Sequence, residues 1–166
     1  MKPIRFLLLM ASLVALVACG GPSKFKTYNG PEVTRIIINK GDREMFLLHH
    51  DRVLKSYEVD LGFAPEGHKE FEGDGKTPEG DYTVDRRNPN SSFHLSLGIS
   101  YPNEQDIAFA EVAGKSPGGD IFIHGEPNKL GIFGPDWTAG CISVKNGEIE
   151  SIYAMVRDGT PVTINP

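Results

Sequence analysis

Only two cysteines, Cys19 and Cys141, occur in 166 residues, too few for a disulfide-stapled scaffold or a four-cysteine zinc site. Positive charge is scarce as well. Lys and Arg number 17 against 22 Asp and Glu, a net charge of -5, which leaves no broad electrostatic footprint for nucleic acid. Glycine (19) and proline (12) are plentiful, and they predict many turns joining short strands where a helix bundle would avoid both. With 39% hydrophobic and 23% charged residues, the chain suffices for one domain with its own core.

The apolar run Phe6–Ala18 follows Lys2 and Arg5 and falls well short of the roughly 20 residues of a spanning helix. It reads as a signal peptide over residues 1–18. The run ends Leu16-Val17-Ala18-Cys19-Gly20, which resembles a bacterial lipobox. That resemblance implies cleavage before Cys19, lipidation of Cys19, and a periplasmic protein anchored to a bacterial membrane, the outer one favoured over the inner. Residues 19–30 are then the lipidated cysteine with a polar linker, and 31–166 the domain.

Strand-like runs at Val33–Asn39 and Glu44–His49, split by Lys40-Gly41-Asp42, predict an opening hairpin. A strand Val53–Leu61 follows. Residues 62–80 form a polar loop rich in Gly and Pro, of a length that is usually functional or mobile. Alternation at Phe93, Leu95, Leu97, Ile99 and Tyr101 predicts a strand with those residues inward and His94, Ser96 and Ser100 on its other face. Strands at Asp120–His124 and Cys141–Val144 come next. Asn146 then caps one helix carrying Ile149, Ile152, Tyr153 and Val156, and Thr160–Ile164 closes the sheet. The fold class is mainly β with one or two short helices.

With Cys19 spent on lipid, Cys141 has no disulfide partner within the chain, and a lone thiol on the oxidising side of a membrane needs a reason. Burial as a small apolar residue is the bland one. Against it, Gly140 directly precedes the thiol, and His124 stands 17 positions upstream at a strand end. A cysteine and a histidine brought together by the fold can perform acyl transfer, the imidazole taking the thiol proton.

At these residues the sequence resembles the L,D-transpeptidases with the YkuD-type catalytic domain. The resemblance lies in Ile123-His124-Gly125, in Thr138-Ala139-Gly140-Cys141-Ile142, in Thr77-Pro78-Glu79-Gly80 and in Gly159-Thr160-Pro161-Val162. It implies an L,D-transpeptidase-like β-sandwich or barrel, Cys141 as nucleophile, and His124 as base. It further implies that the Gly125 carbonyl receives the other imidazole N–H, and that the Gly140 and Cys141 N–H groups form an oxyanion hole. The implied substrate is the peptidoglycan stem peptide, attacked at the diamino acid in position three with release of D-alanine and formation of a thioester.

Asp136-Trp137-Thr138-Ala139-Gly140-Cys141 and the stretch His94–Asn103 resemble the YafK-like branch of that family. At least one member of the branch is an amidase that detaches lipoprotein from peptidoglycan, so a hydrolase using the same Cys141–His124 site is the alternative, and a peptidoglycan-linked lipoprotein a second partner. A non-catalytic peptidoglycan-binding lipoprotein is the rival from another class. Where many family members have His before the Gly-Cys pair and Arg or Asn two positions after the cysteine, this chain has Ala139 and Ser143. His94, Trp137, Thr138 and Ser143 are the candidate substrate-binding residues. No metal and no cofactor is expected, nor nucleic acid, and the protein is expected to be a monomer. His49 and His50 should point to opposite faces of a strand, His68 into solvent, and Arg86 and Arg87 into a solvated turn.

Overall fold

β-branched and long apolar residues at every second position build the first hairpin. In β1 (Arg35–Asn39) Ile36 and Ile38 are buried, and in β2 (Glu44–His49) Met45 and Leu47 are. Each such side chain withdrawn from water contributes about 1.5–3 kcal/mol. The computed structural model describes residues 23–128 and 134–166; the expected signal peptide and the expected lipidation of Cys19 fall outside the described residues.

After β3 (Arg52–Glu58) come β4 (Gly80–Asn88), β5 (Ser96–Ile99), helix α1 (Glu104–Val112), β6 (Phe122–His124), β7 (Ile142–Ser143), helix α2 (Asn146–Met155) and β8 (Pro161–Asn165). The sheet order is β3-β2-β1-β8-β4-β5-β6-β7, with β1–β8 and β6–β7 parallel and the other pairs antiparallel. The sheet curls until the chain beyond β3 meets its far edge. Asp60 and Ser143 exchange backbone bonds of 2.9 and 2.8 Å, and Thr138 is bonded on both sides by Leu61 and Phe63. Ile149, Ile152 and Met155 of α2 are buried with the sheet residues in one core.

Several expectations need correction. Helix α1 has no periodic apolar face; it buries Asp106 and Ala110 and is held by a capping box between Asn103 and Asp106. Lys145, not Asn146, occupies the cap position of α2. The loop at 62–80 is pinned, not loose. Asp74 accepts bonds from the Glu70, Phe71 and Lys76 N–H groups and from Lys69 Nζ, and buried Lys40 donates to the Gly67 and Thr77 carbonyls and to Glu79.

Residues 23–30, expected to be a spacer, are held down too: Lys24 Nζ donates to the Pro89 and His94 carbonyls (2.6 and 3.0 Å) and Lys26 Nζ to the Gly147 carbonyl. His68 is not simply solvated, since it meets Asp106 at 3.1 Å and accepts from the Glu79 N–H. His50 lies in a left-handed turn (φ 52), so its ring meets that of His49 at 4.4 Å. Arg87 is part-buried over the Tyr153 ring, whereas the Arg86 side chain lies over the Phe122 ring and stays exposed, paired with Asp85 and Asp120.

Candidate active site

Three consecutive strands bring the chemistry together. His124 ends β6, and Cys141 immediately precedes β7, which runs parallel to β6 with His124 beside Ser143. Both side chains line one cavity of about 290 Å³ together with Asn88, Ser91, Ser92, Phe93, Ser96, Asp120 and Phe122. Cys141 is part-exposed, so the sulfur is not sealed in the core.

His124 is 3% exposed, and its Nδ1 lies 2.6 Å from the Gly125 carbonyl oxygen. A carbonyl only accepts, so Nδ1 carries the proton and Nε2 is left as the basic nitrogen. The rings of Phe93 (4.5 Å) and Trp137 (5.7 Å) enclose the imidazole. Burial lowers its pKa, partly offset by the Gly125 carbonyl, so the ring is neutral at physiological pH. Burial pushes the Cys141 thiol up, against an opposing contribution from the Phe122 N–H. The resting pair is therefore a neutral thiol and a neutral imidazole. The thiol donates to the Asp120 carbonyl at 3.5 Å, and Asp120 presents that carbonyl from a left-handed backbone (φ 55).

The turn before the nucleophile is built by close approach. Gly140 has φ +132, and a Cβ there would lie 2.6 Å from the Lys76 carbonyl oxygen. Thr138 Oγ1 accepts from the Gly140 N–H (3.1 Å) and donates to the Cys141 carbonyl (2.7 Å). Asp136 anchors the segment from outside, bonding Arg43 and the Leu61 N–H; that bond to Asp136 raises the Arg43 pKa.

This geometry revises the expected roles. The Gly140 N–H is occupied by Thr138, so Gly140 shapes the turn, and Cys141 supplies the backbone N–H with no partner among the described residues. Thr138 is 4% exposed and clamps the turn instead of facing substrate. Ser143 is 2% exposed, does not line the cavity, and serves the Asp60 bridge. His94 has φ 68, which turns its ring away to bond Glu150 at 2.9 Å, outside the cavity lining. Trp137 is placed against His124, not among the cavity-lining residues. Sequence reasoning missed Asn88, Ser91, Ser92, Phe93, Ser96, Asp120 and Phe122 as lining residues, with Phe93 expected on the inward face of a strand; the period-two spacing of Phe122 and His124 was the available signal. Among the described residues no group of three or more His, Cys, Asp or Glu is placed to hold a metal ion.

The site thus sets a strand-borne imidazole and a Gly-Cys turn in one cavity of a curled β-sheet. The model of the YkuD family, the L,D-transpeptidase catalytic domain, matches residues 33–164, and the chain belongs to that family. It is 31% identical over 107 residues to the protein YafK of Escherichia coli (strain K12); the match covers 63% of this chain and 38% of that protein. Among solved structures it is similar to the helical cell shape determining protein Pgp2 of Campylobacter jejuni (26% identity, TM-score 0.63, 90% of this chain and 53% of that one). A mutant of the Enterococcus faecium L,D-transpeptidase shares the fold (17% identity, TM-score 0.52, 81% of this chain and 50% of that one). The chain thus spans well under two thirds of the length of these relatives.

Proposed function

We propose that the protein is a cysteine-dependent L,D-transpeptidase that acts on peptidoglycan stem peptides through a thioester intermediate. The observation that carries this reading is the shared cavity of Cys141 and His124, with imidazole Nδ1 committed to the Gly125 carbonyl. The thiol exchanges its bond to the Asp120 carbonyl for one to His124 Nε2, which takes the proton as sulfur attacks the carbonyl of the diamino acid. The Cys141 N–H stabilises the oxyanion. As the tetrahedral intermediate collapses, His124 returns the proton to the leaving D-alanine amine and the acyl group stays on sulfur. An amine acceptor then resolves the thioester, forming a crosslink or attaching a lipoprotein.

Purified disaccharide tetrapeptide incubated with and without an amine acceptor tests this. Amide-linked product that requires both acceptor and Cys141 is expected. Release of acid product alone, whatever the acceptor, would replace transfer by hydrolysis, and no turnover at all would leave a binding lipoprotein.

We also propose that Cys19 carries lipid, which holds the domain to a membrane on its periplasmic side. The mass of protein extracted from membranes should show loss of residues 1–18 and a gain of acyl chains; an unmodified Cys19 would overturn this.

A further inference from the structure

The strand register sets a row of polar side chains beside the base. Asn88 pairs with Ser96 across β4–β5, and Ser96 with His124 across β5–β6. Directly paired residues project from the same face, with Cβ atoms about 4.5–5.5 Å apart on antiparallel strands. Asn88, Ser96 and His124 accordingly line the same cavity, with Cys141 on the β7 side of the imidazole and Ser96 on the β5 side. Ser96 is 3% exposed as a residue, and what it shows of itself lines the cavity. A hydroxyl that faces a cavity is available to accept a hydrogen bond from a molecule bound there. Leu95 and Leu97, on either side of it in the chain, are fully buried in the core.

From this placement we infer that Ser96 is a catalytic residue of the second half-reaction: its hydroxyl binds the incoming acceptor, an amine or water, and holds it between His124 and the Cys141 thioester. The inference rests on the acyl-transfer reading above and assigns the acceptor to the β4–β5 side of the imidazole. Ser96 Oγ accepts one N–H or O–H of the acceptor, while His124 Nε2 takes a second proton as the new bond to the acyl carbon forms. The carbon–sulfur bond breaks, and the thiolate recovers its proton from the imidazolium. Every proton is accounted for, and no further reactant is needed. Asn88, next in the row, offers a side-chain amide to the rest of the acceptor.

The test separates the two half-reactions in the full chain. Acylation is followed by intact mass with a carbapenem, and turnover with disaccharide tetrapeptide as donor and D-methionine as amine acceptor. For Ser96→Ala the carbapenem rate should stay within about twofold of the unsubstituted protein. The tetrapeptide thioester should accumulate and the acceptor KM should rise about tenfold, the loss of one hydrogen bond. Ser96→Thr, which keeps the hydroxyl, should recover most of that loss, and melting curves identify a variant that merely unfolds. Equal acceptor KM in Ser96→Ala and the unsubstituted protein would overturn the inference and leave the acyl-transfer reading standing, as would acylation slowed as much as turnover. A failure of the unsubstituted protein to label Cys141 would overturn both.

Discussion

Gly140 carries two constraints at once, a backbone torsion that L-residues avoid and the Lys76 carbonyl within 2.6 Å of any added Cβ. Because the obstruction is backbone, it cannot rotate away. Gly140→Ala should cost about 1–3 kcal/mol or more of stability and displace the sulfur, read as a lower melting temperature with loss of Cys141 acylation. Thr138 makes its two bonds with one hydroxyl, and Thr138→Val should cost about 1–3 kcal/mol and slow acylation without changing the acceptor KM. His94 provides a contrast: its bond to Glu150 keeps that carboxylate below its usual range, and His94→Ala should leave turnover within about twofold. A tenfold loss would return it to the substrate site. Tyr57 is buried with a hydroxyl that has no partner among the described residues, and burial pushes its pKa up to about 12. Tyr57→Phe removes the unpaired group and should leave the melting temperature unchanged or raised.

At the scale of elements, the legible parts of the sequence were those in which one face meets core and the other meets solvent. The β1–β2 hairpin alternates in this way, and its strands fall where the pattern predicts. In β5 all four residues are buried, because one face meets the core and the other the cavity, so alternation reveals the strand but assigns Ser96 to no site. Three further features escaped for related reasons. β4 carries a register shift between Val84 and Arg86 that breaks its period, α1 lacks an apolar stripe, and His94 is reversed by a positive φ.

The segment at 62–80 looked mobile because it is polar; its order comes from polar groups paired to one another, which composition does not show. Burial alone would raise the Asp74 carboxyl, but Lys69 and three N–H groups hold it at about 2. The unfolded chain binds that proton more readily. Asp74 therefore contributes about 2 kcal/mol at neutral pH, complete above the ordinary aspartate pKa and lost as pH falls toward about 2. Asp74→Asn should weaken this acid sensitivity in melting curves taken between those limits, and an unchanged pH dependence would contradict the assignment.

Over the whole molecule, the curl of the sheet carries chain distant in sequence to the nucleophile. The Asp60–Ser143 bridge closes the sheet, and the Gly62, Gly75 and Gly140 backbones pack together beneath the cysteine turn. No sequence spacing encodes that closure, which is why the identity of Cys141 and His124 was legible and the remainder of their cavity was not. The same enclosure sets the pH response. Burial lowers the His124 pKa and raises that of Cys141, so acylation should climb with pH along a limb whose midpoint lies below the ordinary histidine value near 6.5, then remain flat through neutrality.

Acylation of the Cys141 thiol, with His124 taking its proton, is read by intact-mass measurement of the full chain after exposure to a carbapenem. A single adduct is expected, placed on Cys141 by peptide mapping, absent in Cys141→Ser and formed at least about a hundredfold more slowly in His124→Ala. An adduct that persists in Cys141→Ser, or an undiminished rate in His124→Ala, would contradict a reaction carried by this pair.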